Sequence, residues 1–443
     1  MKPLPSSSTR VRRLLPISTL SFVLCALLLA GCARPAPPPT PPPGAGAGAA
    51  PDVLSPQERA EIFRQVWETV NEHYYDPTFR GLDWRAVGER YRPMAESARG
   101  DAEFYGVFEL MLGELRDGHT IFIPPRMPGA KEGEGIAPGR IGLKLGEVEG
   151  RVAVVEVEPG SAAERAGVRV GQLLREVNGK PVEEHFAFLR TLFAGSSTER
   201  LFKSKMLSAL LRGGFLSMPR RLGLTDHDGR EFTVELSPEA APEPPNVTAR
   251  RLDSGAGYIK FRHWIAPAHD DFRKALATLR DAPSLVLDLR GNGGGETSVM
   301  LDIAANFFER PTYYGGFRDR AGEVQKYHTR RNPGAYRAPL VIIVDEESAS
   351  ATETFAAFMQ EAGRARVIGR PTAGSTLNQG GRRRFKGGGE LRYSTRSFLT
   401  PSGRELEGVG VSPDLTVALT LDDLRAGRDA ALEAAGKEVG GRQ

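Results

Sequence analysis

Two short apolar runs constrain this chain most: Leu285-Val286-Leu287-Asp288-Leu289 and Leu340-Val341-Ile342-Ile343-Val344. Both have the length and composition of buried strands, and each exits into small residues that open a helical pattern. The first runs into Arg290-Gly291-Asn292-Gly293-Gly294-Gly295, the second into Asp345-Glu346-Glu347-Ser348-Ala349-Ser350-Ala351-Thr352-Glu353. A strand at Gly257–Phe261 and a helix near Asp270–Arg280 precede them. This alternation over residues 246–421 predicts an α/β domain with a largely parallel sheet.

The two exits carry the chemistry. A glycine cluster after a strand turns tightly and presents backbone N–H groups to an anion or a developing oxyanion. No Lys-Ser/Thr follows it, so a phosphate loop is disfavoured. A serine at the N-terminus of a helix sits where backbone donors and the dipole favour developing negative charge. The same position also suits a plain N-cap, which an isolated serine would more often be.

Upstream the patterns differ. Ser55-Pro56-Gln57-Glu58 has the form of a helix start, with Ile62, Val66 and Val70 at helical spacing and Trp67 beside them. Further helices are expected near Trp84–Met94 and Phe104–Leu115, giving a helical domain over 55–130 that includes Asp117-Gly118-His119-Thr120. Residues 139–240 switch to short strands between glycine-rich turns, and Asn178-Gly179 is a hairpin signal. A helical-looking interruption falls near 189–215. Pro242–Pro245 marks a linker, and 422–443 is expected to be a C-terminal tail.

The first 31 residues read as a signal peptide. Arg10, Arg12 and Arg13 precede an apolar stretch ending in Leu29-Ala30-Gly31-Cys32. Cleavage there leaves Cys32 as the one cysteine, so no internal disulfide, cysteine nucleophile or cysteine metal site is expected. Residues 32–54 form a Pro/Gly-rich spacer. The formal charge of +4 comes from the four basic residues of the signal segment. The balanced remainder gives no reason to bind nucleic acid, and Arg382-Arg383-Arg384 is expected to be a solvated loop face. The histidines have no metal-ligand spacing, so neither metal nor cofactor is expected.

Several of these segments carry resemblances. Leu29-Ala30-Gly31-Cys32 resembles the bacterial lipoprotein box, which implies acylation of Cys32 and a membrane-anchored protein in the cell envelope, facing the periplasm or the exterior. Residues from Pro159-Gly160-Ser161 to Asn178-Gly179-Lys180-Pro181-Val182 resemble a bacterial PDZ domain. That implies capture of a peptide C-terminus by the loop Arg140-Ile141-Gly142-Leu143, and protein or peptide substrates with accessible C-terminal tails. The glycine-rich exit and Ser348-Ala349-Ser350-Ala351-Thr352-Glu353 resemble the carboxy-terminal processing (tail-specific) serine peptidases. The family implies a multidomain α+β chain: an N-terminal helical domain, a PDZ domain and an α/β catalytic core of the crotonase/ClpP-like ββα type.

The resemblance implies that Ser350, not Ser348, is the nucleophile. The oxyanion hole would use the N–H of Ala351 and one from Gly294 or Gly295. One departure matters: members with a Ser–Lys dyad carry lysine in Thr-Phe-Gly-Lys-Gly, and here Thr372-Ala373-Gly374-Ser375-Thr376 puts Ser375 there. A branch resembling the tricorn core peptidase uses His, Ser and Glu instead. In that branch's pattern His119 is the general base and Glu407, before Gly408-Val409-Gly410-Val411-Ser412-Pro413-Asp414, orients it. Glu405 and Glu353 are rival acids, and His263 is the rival base. An inactive scaffold lipoprotein using the PDZ domain and the cleft is the alternative function.

Overall fold

The computed structural model describes residues 54–125, 140–193, 195–212, 219–239 and 244–440. The signal segment, Cys32 and the spacer up to Val53 lie outside the described residues. No helix among the described residues is long and apolar enough to cross a membrane.

Three helices open the described chain: α1 (Pro56–His73), α2 (Trp84–Glu96) and α3 (Asp101–Gly113). The start of α1 is a reciprocal cap. Ser55 N–H donates to Glu58 Oε2 at 2.7 Å, and Glu58 N–H donates to Ser55 Oγ at 3.3 Å. Ile62, Val66 and Val70 turn inward and share a core with Trp84, Phe104, Phe108 and Met111. After α3 the chain passes through residues 114–120 into strand β1 (Ile121–Ile123).

The second region contains β2 (Leu143–Val148), β3 (Arg151–Val157), α4 (Ala162–Arg165), β4 (Leu173–Val177), β5 (Lys180–Pro181), α5 (Val182–Leu192), α6 (Glu199–Arg212), β6 (Arg220–Thr225) and β7 (Glu231–Leu236). The sheet order is β2-β3-β4-β6-β7, all antiparallel. Asn178 and Gly179 both have positive φ, 53° and 77°, as a tight two-residue hairpin requires. The interruption near 189–215 resolves into the end of α5 and the whole of α6. Helix α6 packs on β2 and α5: its Phe202, Met206, Leu207 and Leu210 share a core with Ile141, Leu145, Val182 and Leu189.

The third region contains β8 (Val247–Arg251), β9 (Gly257–Phe261), α7 (Ala268–Thr278), β10 (Leu285–Asp288), α8 (Thr297–Ala304), β11 (Tyr313–Asp319), β12 (Val324–His328), β13 (Leu340–Val344), α9 (Ala351–Glu361), β14 (Arg366–Gly369), β15 (Gly381–Arg384), β16 (Glu390–Tyr393), β17 (Arg396–Leu399), β18 (Leu415–Thr416), α10 (Leu421–Arg425) and α11 (Ala430–Gly440). The main sheet runs β18-β14-β13-β10-β9-β8 and is parallel except for β8. The two apolar runs are its neighbouring central strands, Leu285 opposite Leu340. Helices α7, α8 and α9 contribute to the core on one face. On the other, Val286, Val341, Ile343 and Ile368 meet Ala431, Ala435 and Val439 of α11.

Two expectations need correction. Residues 422–440 are not a tail: the small apolar residues of α11, four apart, form a stripe that covers the sheet, and their low individual hydrophobicity hides it in the sequence. Arg382-Arg383-Arg384 lies in strand β15 rather than in a loop. Glu390 on the neighbouring strand accepts from Arg382 and Arg384, and Arg383 donates to Thr69 at 2.7 Å. Strand β1 joins the same small sheet through β16, Ile121 opposite Arg392. Leu377, Phe385 and Leu391 complete the core of the helical region. This pairing holds the end of the helical region against the segments that follow β14.

Candidate active site

The turn after β13 is hydrogen-bonded at nearly every step. Asp345 Oδ1 accepts the N–H groups of Gly291 (3.0 Å), Glu347 (3.1 Å) and Ser348 (3.1 Å). Ser348 is fully buried, and its hydroxyl donates to Leu289 C=O at 2.9 Å while accepting Asp345 N–H at 3.0 Å. It is therefore occupied in holding the turn. Ser350 caps α9 with φ 57° and ψ −120°, a sparsely populated conformation for a residue with a Cβ. Such a conformation costs ~1–3 kcal/mol and persists only where its surroundings over-determine it.

Those surroundings can be named. Ser350 N–H donates to Ser375 C=O at 2.9 Å and to Glu353 Oε2 at 3.0 Å. Ala349 N–H donates to Asn292 C=O at 3.0 Å. Glu353, one of the rival acids, is buried and accepts four donors: Ser350 N–H, Thr372 Oγ, Gly374 N–H at 2.6 Å and Ser375 N–H at 2.9 Å. Burial pushes its carboxyl upward from the ordinary range, against the pull of those donors. Glu353 thus ties the serine turn to residues 372–375.

The glycine cluster lies against this turn. A Cβ on Gly294 (φ 103°) would fall 2.7 Å from Ser350 Cβ and 3.1 Å from Ala351 N, so only glycine fits. Gly294 N–H donates to Asn292 Oδ1 at 3.0 Å. The N–H groups of Gly295 and Ala351 have no protein acceptor among the described residues. Of the two glycines expected as oxyanion donors, Gly295 is the one whose N–H is unengaged. Ser350, Ala351 and Gly295 line a cavity of about 320 Å³ together with His119, Phe317, Thr376, Leu377 and Gln379.

His119 reaches this cavity from the loop between α3 and β1. Asp117 shapes that loop: it is buried, and its carboxylate accepts His119 N–H at 2.8 Å and the Thr120 hydroxyl. The ring Nδ1 lies 3.3 Å from Ser375 Oγ and 4.0 Å from Asp117 Oδ1. No hydrogen bond joins the ring to Ser350 or to Glu407. Burial lowers the ring's pKa from its ordinary value; Asp117 opposes this and Lys205 adds to it. Glu407 lies behind, its Oε2 accepting Thr376 N–H at 2.6 Å and Leu377 N–H at 3.2 Å. Burial pushes its carboxyl up to about 7, with the charge of Asp117 adding to the effect.

The rivals are elsewhere. Glu405 pairs with Arg318. His263 is exposed, its backbone C=O and N–H bond the side-chain amide of Asn246, and it is absent from the cavity wall. Among the described residues no group of three or more His, Cys, Asp or Glu is placed to hold a metal ion.

Residues 195–205 were not foreseen as part of the site. Thr198 Oγ donates to Ala373 C=O, Arg200 donates to Thr372 C=O (2.9 Å) and Val409 C=O (2.7 Å), and Gly118 N–H donates to Ser197 Oγ at 3.4 Å. A Cβ on Gly118 would sit 3.0 Å from Ser375 Oγ and 3.3 Å from Lys205 Nζ. Burial lowers the pKa of Lys205, while Asp117 and Glu407 counteract it. Nothing local in the sequence marks Lys205; only the packing of α6 brings it here.

The loop expected to capture a peptide C-terminus is tightly packed. Arg140 exchanges two backbone hydrogen bonds with Glu239, at 2.9 and 3.1 Å. Ile141 is buried and its C=O accepts Ala163 N–H (3.0 Å). Gly142 has φ 77°, and its C=O accepts Glu158 N–H (2.8 Å); Leu143 begins β2. Strand β2 pairs with β3 on one side and meets α6 beside it.

Comparison with known proteins agrees with this architecture. Residues 255–417 match peptidase family S41, residues 55–113 match the tricorn protease C1 domain and residues 154–202 match a PDZ domain. The carboxyl-terminal-processing peptidase 3, chloroplastic, of Arabidopsis thaliana is 28% identical over 363 residues, 79% of this chain and 67% of the relative. The carboxyl-terminal-processing protease of Synechocystis sp. is 27% identical over 377 residues, 83% of each. Among solved structures, the photosystem II D1 C-terminal processing protease superposes with TM-score 0.58 at 22% identity, over 86% of this chain and 97% of that one. Mature CPAF does so with TM-score 0.65 at 14% identity, over 87% and 96%. A strained serine at a helix start, two unengaged N–H groups and an imidazole share one cavity in a chain whose residues 255–417 match peptidase family S41: the protein is a serine-type peptidase with a PDZ domain and a tricorn-like helical region, similar to the carboxyl-terminal-processing peptidases.

Proposed function

We propose that this peptidase works through Ser350 as nucleophile and His119 as general base, with Glu407 as the acid behind the histidine. Ser350 Oγ attacks the scissile carbonyl carbon while His119 Nε2 takes its proton. The carbonyl oxygen becomes an oxyanion held by the N–H groups of Ala351 and Gly295. His119 then returns the proton to the leaving amine, and water, activated by the same imidazole, releases the acyl group from Ser350. The ring is half-buried, with 19% of its side chain exposed, and desolvation lowers its pKa, which favours the neutral form that can accept a proton at neutral pH.

The strained Ser350 in one cavity with His119 carries this reading. The separation of the two residues does not weigh against it, because catalytic hydrogen bonds tighten when substrate is bound. A fluorophosphonate probe tests it. Wild-type protein should be labelled at Ser350, and Ser350→Ala should lose both label and cleavage of a casein-like protein while keeping its fold. Labelling at Ser348 instead would reject the assignment.

The wider setting is also a proposal. The signal segment and Leu29-Ala30-Gly31-Cys32 support an exported protein tethered by lipid on Cys32 in the cell envelope, facing the periplasm or the exterior. Cys32→Ser should abolish incorporation of labelled fatty acid; incorporation at the wild-type level would refute the anchor. The PDZ domain supports recruitment of substrates through accessible C-terminal tails. A tail adding beside β2 would compete with α6, which packs there.

A further inference from the structure

Ser375 sits between the nucleophile and the base. Its C=O accepts Ser350 N–H at 2.9 Å, its N–H donates to Glu353 Oε2 at 2.9 Å, and its Oγ lies 3.3 Å from His119 Nδ1. It is 4% exposed. Among the described residues no other side chain hydrogen-bonds the ring. The nearest carboxylate oxygen, Asp117 Oδ1, is 4.0 Å away and already accepts His119 N–H.

A histidine that accepts a proton at Nε2 must carry its own proton on Nδ1, and the partner of Nδ1 fixes that tautomer. A hydroxyl accepts with its lone pairs and donates once. If Ser375 Oγ accepts Nδ1–H, its own hydrogen needs an acceptor in turn. Glu407 is anchored to the same segment through the N–H groups of Thr376 and Leu377; its Oε1 is buried, and the hydroxyl of Ser197 also bears on the carboxyl. An alanine at 118 would crowd the Ser375 hydroxyl, and Gly118 leaves it room.

We propose that Ser375 positions His119: its hydroxyl accepts the Nδ1 proton and donates to the buried carboxylate of Glu407, linking the acid to a base it does not touch. The inference rests on the reading of His119 as base. It gives a role to the residue standing where the dyad members have lysine: the ring's support replaces the proton acceptor. The charged groups around the ring are Asp117 on its own loop and Lys205 on α6, with Glu407 sharing both as neighbours.

The test uses the mature enzyme with Ser375→Ala, Ser375→Thr and the near-isosteric Ser375→Val. Alanine and valine should each lower kcat by ~10–10²-fold with KM within about twofold, less than loss of a charged orienting residue costs. Threonine, which keeps the hydroxyl, should retain most of the turnover. Nitrogen NMR of the histidine rings at pH 8 should show His119 protonated at Nδ1 in the wild type and in Ser375→Thr, and a tautomer mixture in Ser375→Val. Wild-type turnover in Ser375→Val, with His119→Gln severely impaired, would overturn the role of Ser375 and leave the base in place. An equal loss in threonine and valine with the tautomer unchanged would reduce Ser375 to packing and also overturn it. Full activity in His119→Gln would remove the base itself, and the Ser375 proposal with it.

Discussion

The proposed nucleophile and the proposed base of this centre are held in different ways. Ser350 belongs to one continuous strand–turn–helix unit, β13 to α9, braced by Asp345, Ser348 and Glu353 and by the glycine exit of the neighbouring strand β10. His119 lies on a loop between the helical region and the PDZ region. Its surroundings come from Ser375, from Gln379, whose side chain donates to His119 C=O at 2.6 Å, and from residues 197–205 of the PDZ insertion. The strained conformation is on the side with local support; the side assembled from remote segments has only hydrogen bonds and packing to hold it. Events in the PDZ insertion should therefore reach the base more directly than the nucleophile turn, which they meet only through residues 372–375.

The largest effects should come from cutting into each half directly. His119→Gln should lower turnover by ~10³-fold or more, on the scale of other triad deletions. Gly294→Ala should cost ~10²–10³-fold, comparable to losing an oxyanion donor, because a Cβ there displaces Ser350 and Ala351 N. Steady-state kinetics on a casein-like substrate measures both. Near-normal rates in Gly294→Ala would mean that the turn is less tightly determined than its contacts imply.

Arg200→Ala sharpens the comparison. It removes the donors to Thr372 and Val409 C=O, which join the PDZ insertion to the loops around the base. Turnover should fall by about tenfold, as expected when a distant change misplaces a catalytic group by a fraction of an ångström. The melting temperature should drop by no more than a few degrees. A tenfold loss in Arg200→Ala that is matched by collapse of the α9 turn, seen as lost protection of its amides, would break the distinction between the halves.

The smallest effects should appear in the pH profile. The base works when neutral, and burial depresses its pKa, so the rising limb should lie below the ordinary histidine value of about 6.5. Lys205→Met removes a positive charge that opposes protonation and should move the limb upward. Asp117→Asn removes a negative charge that favours the imidazolium and should move it downward. The two shifts should have opposite signs. Lys386, which pairs with Glu58 at 2.5 Å on the surface, is the control and should move nothing. Shifts in the same direction for Lys205→Met and Asp117→Asn would show that the limb reports another group.

Much of the architecture was legible along the chain, because it depends on neighbours in sequence. The cap at Ser55-Pro56-Gln57-Glu58, the turn at Asn178-Gly179 and the two apolar strands are short-range features whose geometry follows from adjacent residues. The positions of Ser350 and Ala351, and of Gly294 and Gly295 as alternatives, were legible for the same reason: each sits at the exit of its own strand. Residues whose neighbours are distant in sequence were not. Helix α11 reads as a polar tail until the sheet face it covers is known. Arg382-Arg383-Arg384 reads as a loop until Glu390 and Thr69 supply partners.

The chain alone established a largely parallel α/β sheet, a region of short strands and turns and a serine at a helix start, since hydrophobic periodicity and turn chemistry act over a few residues; the hydrolytic role and the PDZ identity came from resemblance. It also indicated that the lysine of the dyad is missing. The placement of Ser375 against His119, of Lys205 behind it and of Glu407 beyond hydrogen-bonding reach of the ring was decided by tertiary packing alone. Lys205, Ser375 and Glu407 lie 86, 256 and 288 positions from His119, and the burial that shifts His119 and Glu407 exists only when α6, β1 and the loops after β14 are packed together. Local sequence specifies which groups are present; desolvation and distance, which depend on the assembled fold, decide which of them can exchange a proton.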